Sequence, residues 1–272
     1  MALTFRSSSR VHVVARLTAL VALAACSCVS AIAQSGPIKV GMALDISGPF
    51  AGPGAEARDG FALAIKQLGG KLGGQPVEFV QTDMAGSPDQ AKQLVDRFVQ
   101  REKIDLFTGP IASNVALAVA PSLFAAKVPY LSNNAGPSQL AGAQCNAYFF
   151  GTAYQNDQFH EAAGQFAADQ KFGRMVVMAP NYPAGKDGIT GFKRKYKGQV
   201  ADEIYTKVGQ IDYATELAQL RAAKPDAVYF FLPGAMGINF IKQFVGAGLS
   251  KDITLVTSGF SADEDIIGAV GE

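Results

Sequence analysis

The amino-acid sequence predicts an α/β fold of two lobes, each a parallel sheet covered by helices. Short runs of nearly continuous Val, Ile, Leu and Phe alternate with segments that have helical spacing of apolar residues. Strands buried on both faces of a parallel sheet have such continuous apolar runs, and the helices cover those faces. The alternation pauses at 133–147, a stretch of Asn, Gly, Pro and Ser. We therefore predict two lobes that join just after residues 149–152.

The first half contains four predicted strands and three predicted helices. Gly69, Gly70, Gly73 and Gly74 predict a turn after the first helix. Pro88 and Asp89 are start signals for the second helix. The strands are expected at 38–45, 77–83, 104–108 and 128–132, and the helices at 55–68, 88–101 and 114–126.

The second half repeats the pattern after Gln155. A helix ending at Gln170 leads into alternating strands and helices, which again predicts a parallel sheet. The strands are expected at 174–179, 200–206, 227–232 and 253–257, and the further helices at 185–197, 213–223 and 236–247.

The N-terminus has the features of a secretory signal peptide. Residues 1–33 hold three arginines and no acidic residue, an apolar run at 17–29, and Ala-Ile-Ala before a cleavage point after Ala33. A membrane anchor is the alternative, but the apolar run is short for a bilayer. A second alternative is lipid attachment at Cys26, since 23–26 (LAAC) resembles a lipobox. Each processing route places the body outside the cytoplasm, in the periplasm, and the predicted domains are 1–33, 34–152 and 153–272.

The composition after the leader excludes several functions. The chain has 24 Lys and Arg against 23 Asp and Glu, and the leader's three arginines leave 21 against 23, a net charge of −2. This charge provides no basic surface for nucleic acid. Cys145 and His160 are the only Cys and His outside the leader, so we expect no disulfide, no metal site and no cofactor. His160 is expected at the surface or as a helix cap, and Cys145 as a half-buried small residue.

Two enzyme interpretations also fail. Residues 52–57 fit the dinucleotide pattern G-x-G-x-x-A, and Asp83 ends the next strand. However, Gly52 follows Asp45 at too great a distance for that turn, and Pro53 lacks a backbone donor. A hydrolase would need a Gly-x-Ser-x-Gly elbow, which does not occur in the sequence. We expect no catalytic residue.

Small, amide-bearing and hydroxyl-bearing residues follow several predicted strands, at 47–49, 109–114, 132–137 and 180–183. Ligands of open parallel sheets bind beyond the carboxyl ends of the strands, where helix N-termini offer free N–H groups to an anion. Ser113 and Asn114 have an alternative role as N-caps of the third helix. The convergence of several such turns on one edge favours a binding site for a carboxylate.

The order of these segments resembles the periplasmic leucine/isoleucine/valine-binding family, the type I solute-binding proteins of ABC importers. The resemblance runs from about Ile38 to the C-terminus and includes SGPFA at 47–51, VPYLSNNAGPS at 128–138 and KPDAVYFF at 224–231. It implies two doubly wound lobes that close on a small ligand by a hinge and deliver it to a membrane permease. The family is longer than this chain, so we expect the second lobe to be incomplete.

The resemblance also implies the ligand-binding residues. In the first lobe they correspond to Ser113, Asn134, Ala135 and Gly136. In the second lobe they correspond to Tyr182 and Gly234.

Two departures concern the ligand itself. Pro53 stands where amino-acid binders often place an aromatic residue, and 258–260 (SGF) stands where they hold the ligand ammonium with an acid. A buried ammonium without a partner is strongly disfavoured. A branched-chain or related amino acid is the expected ligand class, and a carboxylic acid without an amine is the alternative. A ligand-sensing module of the same fold is a further alternative.

Overall fold

The computed structural model describes residues 36–271, and within that range it forms two sheets. The predicted leader at 1–33 and the alternative lipid-attachment residue Cys26 lie outside the described residues. No helix in the described range is both long and apolar enough to cross a membrane.

The first sheet has the strand order β2-β3-β1-β4-β5-β6. Its neighbours pair in parallel except β2 and β3, which form an antiparallel hairpin at Gly73 and Gly74, both with positive φ. The turn predicted at 69–74 therefore contains a short strand, Lys71–Leu72, that the sequence pattern did not reveal. The strands are β1 Ile38–Leu44, β2 Lys71–Leu72, β3 Gln75–Asp83, β4 Leu106–Thr108, β5 Tyr130–Ser132 and β6 Phe149–Gly151.

The helices of this half confirm the predicted start at Pro88. The Ser87 Oγ accepts a hydrogen bond from the Gln90 N–H at 3.4 Å and so caps the second helix. The pause at 133–147 contains a short helix that was not predicted. The helices are α1 Ala51–Gln67, α2 Pro88–Arg97, α3 Ser113–Ala125 and α4 Ser138–Ala141.

Helix α1 begins four residues earlier than predicted and includes Gly54. A Cβ at Gly54 would lie 1.9 Å from the Asp45 carbonyl oxygen, so only glycine allows the helix to pack directly against the end of β1. Close helix–strand packing therefore accounts for the G-x-G-x-x-A pattern without a dinucleotide.

The second sheet has the order β10-β9-β7-β8, and all its pairings are parallel, as predicted. Its central strand β7 is flanked on both sides, and Met175 to Ala179 are completely buried. The strands are β7 Arg174–Pro180, β8 Gln199–Thr206, β9 Ala227–Phe230 and β10 Thr254–Thr257. The helices are α5 Gln158–Asp169, α6 Pro183–Lys195, α7 Ala214–Ala223, α8 Ala235–Gly246 and α9 Glu264–Val270.

These two sheets, parallel except for the β2–β3 hairpin, confirm the predicted fold class. We use the predicted boundary to name residues 38–152 the first lobe and 153–271 the second lobe. All strands of the first sheet then belong to the first lobe and all strands of the second sheet to the second lobe.

Candidate functional site

A cavity lies where the carboxyl ends of both sheets meet. Its empty space measures about 490 Å³, including the part that is open to solvent. Nearly every lining residue follows the end of a strand, which is where open α/β sheets bind ligands. The first lobe contributes Phe50, Pro53, Ile111, Ser113 and Asn134, and the second lobe contributes Ala153, Tyr154, Asn156, Phe159, Tyr182, Ala184, Phe231, Pro233 and Phe260.

The first-lobe wall is held in place by Asp45, a buried carboxylate directly after β1. Its Oδ2 accepts hydrogen bonds from the N–H groups of Ile111 at 3.0 Å and Ala112 at 3.3 Å, and its Oδ1 accepts from Gly86 N–H at 2.7 Å. Burial raises the pKa of Asp45, while these three donors favour its charged form. The carboxylate thereby fixes the turn before α3, so that Ser113 lies at the first residue of that helix.

Asn156 links this wall to the second lobe. Its Nδ2 donates to the Ser113 Oγ at 3.1 Å and to the Asp187 Oδ2 at 3.1 Å, and its Oδ1 accepts from the Gly136 N–H at 3.2 Å. Both N–H donors of the amide and one of the two lone pairs of its oxygen are therefore used. Because the Ser113 Oγ acts as the acceptor, its own hydrogen remains available to a ligand in the cavity.

The opposite wall is aromatic. The Phe159 ring lies edge-on to Phe260 at 5.1 Å and to Phe231 at 6.4 Å between ring centroids. On the facing side, Phe50 of the first lobe lies 6.0 Å from Tyr182 of the second. Aromatic rings prefer such tilted or edge-to-face arrangements, and they leave ring faces and edges for a flat apolar ligand.

The fourteen lining residues include no Asp, Glu, Lys, Arg or His. Burial raises the pKa of Tyr182 above its usual range, so its phenol stays neutral. Polar contact with a ligand therefore depends on uncharged groups, namely the hydroxyls of Ser113, Tyr154 and Tyr182 and the amides of Asn134 and Asn156. A cationic group in this cavity would meet no carboxylate among the lining residues.

The predicted site residues fall into two groups. Ser113, Asn134 and Tyr182 line the cavity, and Ser113 is not the N-cap of α3, because that position is Ala112. The Asn134 Nδ2 donates to the Ile111 carbonyl at 3.0 Å.

Ala135, Gly136 and Gly234 support the wall from behind instead of lining it. The Ala135 carbonyl accepts from the Ser132 Oγ at 2.5 Å, and a Cβ at Gly136 would lie 2.1 Å from the Tyr154 carbonyl oxygen. Gly234 has φ of 61° and lies against Pro49 of the first lobe.

Two expectations about single residues are wrong. His160 is completely buried behind the aromatic wall, where it bonds to the Tyr229 hydroxyl and lies 4.0 Å from the Phe159 ring. Burial lowers the pKa of His160 to about 3, so the ring is neutral at pH 7. Cys145 is exposed, not half-buried.

Several cavity residues were not identified from the sequence. Asn156 precedes α5 and Phe159 lies at its start, and both follow β6, a strand that was not predicted from the sequence. Phe260 follows β10 in the segment 258–260, which the sequence did single out as a departure. The signal that could have found these aromatic residues is their recurrence directly after strands and at a helix start.

Two α/β lobes with a cavity at the carboxyl ends of their sheets define a type I periplasmic-binding fold. The chain belongs to the periplasmic binding protein family, whose profile matches residues 37–272. A relative in Brucella melitensis, Leu/Ile/Val-binding protein homolog 6, is 28% identical over 260 residues, covering 93% of this chain and 66% of the relative. The chain thus spans just under two thirds of the length of this relative.

Solved structures show the same fold. An ABC-transporter solute-binding protein from R. palustris in complex with benzoate has a TM-score of 0.82 and 32% identity, over 86% of this chain and 65% of that one. A second, from Rhodopseudomonas palustris BisB5 with 3,4-dihydroxy benzoic acid, has a TM-score of 0.81 and 29% identity, over 87% and 66%. A leucine-binding protein from Thermotoga maritima, 21% identical with a TM-score of 0.76 over 86% and 67%, supports the fold alone.

Proposed function

We propose that this chain is an extracytoplasmic receptor of an ABC importer and that it binds a small aromatic carboxylate. The observation that carries this proposal is an uncharged, aromatic-lined cavity with a serine hydroxyl free to donate. The benzoate complexes of the R. palustris proteins support the same ligand class by similarity.

The carboxylate would lie at the first-lobe wall, against the Ser113 hydroxyl and the first turn of α3. Backbone N–H groups at a helix N-terminus favour a negative charge. The aromatic ring would lie between Phe159, Phe260 and Tyr182, where stacking contributes roughly 0.5–1.5 kcal/mol per pair beyond burial. No covalent step is needed for this role.

An aliphatic amino acid is the second candidate, because the Brucella relative is named as a Leu/Ile/Val-binding homologue and the apolar wall also suits an aliphatic side chain. Its ammonium group is the difficulty. An unpaired buried ammonium is strongly disfavoured, and Phe260 occupies the segment where the resemblance implies an acid.

The ligand would be released to a permease when the two lobes open about the segment that joins them. Contacts across the cavity support this hinge proposal, since Phe50 faces Tyr182 and Pro49 lies against Gly209 and Gly234. Closure of two lobes around a ligand is a common form of domain motion.

A thermal-shift panel tests the ligand class. The chain without residues 1–33 is melted with benzoate, 4-hydroxybenzoate, benzamide, leucine and isoleucine. A ligand at about a hundred times its Kd adds roughly 2.7 kcal/mol, which corresponds to about 5–11 °C for a domain of this size. We expect this shift with the benzoates and none with benzamide, which keeps the ring and lacks the charge. A shift with leucine and none with benzoate would replace the proposal by the second candidate.

A further inference from the structure

The carboxylate of Asp187 joins the two lobes beside the cavity. Asp187 belongs to α6 of the second lobe and is 8% exposed. Its Oδ2 accepts from the Ser138 N–H at 3.0 Å and its Oδ1 accepts from the Ser138 Oγ at 2.7 Å. Ser138 is the first residue of α4 in the first lobe. One serine thus donates twice to a carboxylate that comes from the other lobe.

The same carboxylate also reaches the cavity wall. Its Oδ2 accepts from the Asn156 Nδ2, whose second hydrogen goes to the Ser113 Oγ. Asp187 itself does not line the cavity. Its hydrogen bond to Asn156 holds the amide that donates to Ser113, so Asp187 can act on a ligand through Asn156.

We propose that Asp187 is a positioning residue that couples ligand binding to lobe closure. The inference deepens the proposed function, since it places the ligand at Ser113. When the lobes close, Asp187 engages Ser138 and fixes the Asn156 amide, and the amide then directs the Ser113 hydroxyl hydrogen into the cavity. Because coupling between two equilibria is reciprocal, a ligand held by Ser113 stabilises the Asp187–Ser138 contact by the same free energy.

Asp187→Asn tests this coupling with little change of shape. The carboxylate accepts from donors on two sides, whereas an amide presents one oxygen and one NH2 group. The NH2 group can take the place of Oδ1, where the Ser138 hydroxyl can turn to accept from it, so the substitution chiefly removes the negative charge to which Ser138 and Asn156 donate. Hydrogen bonds to charged groups contribute enough that we expect benzoate affinity to fall by about 10- to 100-fold in calorimetric titration.

Two further variants separate coupling from general loss of structure. Asp169→Asn is the matched control, because Asp169 is an exposed acceptor for the Gln165 side chain within α5, and we expect it to leave affinity unchanged. Ser138→Ala removes the hydroxyl donor across the lobes and leaves Asn156 and Ser113 intact. We expect it to weaken benzoate binding by about 3- to 10-fold, although Ser138 does not line the cavity.

Amide hydrogen exchange at Ser138 gives a measurement that needs no ligand. The Ser138 N–H donates to Asp187, so Asp187→Asn should speed its exchange and Asp169→Asn should not. If the unliganded wild type protects this amide but binds no benzoate, the proposed ligand class fails and the contact between lobes remains. If Ser138 exchange and benzoate affinity are both unchanged in Asp187→Asn, the coupling proposal is overturned.

Discussion

Replacing Ser113 by alanine removes the cavity hydroxyl that lies at the first residue of α3 and can donate to a carboxylate there. Ser113 is 1% exposed, and its Oγ accepts a hydrogen bond from the Asn156 Nδ2 at 3.1 Å. Its hydroxyl hydrogen donates to no other group in the described residues. A hydrogen bond to a charged group contributes about 1.5–3 kcal/mol. Since 1.4 kcal/mol is a factor of ten, Ser113→Ala should raise the Kd for benzoate by roughly 10- to 150-fold.

The substitution also affects folding, so the measurement must separate affinity from stability. In Ser113→Ala the Asn156 amide loses an acceptor, which destabilises the fold by about 1–3 kcal/mol. Ser87→Ala is a suitable control, because it removes a serine hydroxyl that caps α2 outside the cavity. We expect it to reduce stability by about 1 kcal/mol and to leave the Kd unchanged.

Isothermal titration calorimetry with benzoate, combined with urea unfolding of both variants, provides the test. The reasoning is refuted if Ser113→Ala binds benzoate within twofold of the wild type while the variant remains folded. The same refutation follows if Ser87→Ala weakens binding as much as Ser113→Ala does.

Three further perturbations follow from the structure. Phe260→Ala removes one ring of the aromatic wall and should weaken benzoate binding by about 3- to 10-fold in the same titration. Gly54→Ala places a Cβ 1.9 Å from the Asp45 carbonyl oxygen and should destabilise the protein by about 1–3 kcal/mol in urea unfolding, whereas Gly52→Ala, in open space within the same helix, should be neutral or stabilising. Burial lowers the pKa of His160 from 6.5 to about 3, so between these pH values the unfolded chain binds a proton that the folded protein does not. The free energy of unfolding should therefore be at its full value above pH 6.5 and fall below it by up to about 1.4 kcal/mol per pH unit. His160→Gln should remove this part of the pH dependence in urea unfolding.

The alternation of strands and helices could be predicted because each buried parallel strand is a continuous apolar run. The same logic located the segments 109–114, 132–137 and 180–183, since each follows a strand and all parallel strands end at one edge. Within them, Ser113, Asn134 and Tyr182 were chosen from the resemblance to the leucine/isoleucine/valine-binding family. Helix α1 was placed four residues too late, because Gly52, Pro53 and Gly54 indicate a turn unless the close approach to Asp45 is known.

The hydrogen-bond network of the cavity could not be predicted from local pattern. Asn156 and Ser113 are 43 residues apart in sequence, and Asn156 and Asp187 are 31 apart. Their bonds arise from packing of the lobes, which leaves no periodic signal. The burial of His160 also arises from tertiary packing. A lone histidine near a helix start gives no indication that Phe159, Phe231 and Tyr229 enclose it.

The most direct test of the central claim is a pair of calorimetric titrations with 3-phenylpropanoate and phenylalanine. The two ligands share a ring and a carboxylate and differ in the α-ammonium group, for which the cavity offers no carboxylate among its lining residues. We expect 3-phenylpropanoate to bind more tightly, by at least about tenfold, because the unpaired ammonium must be desolvated. Tighter binding of phenylalanine would contradict the account and would require an acidic partner at the ligand's amine.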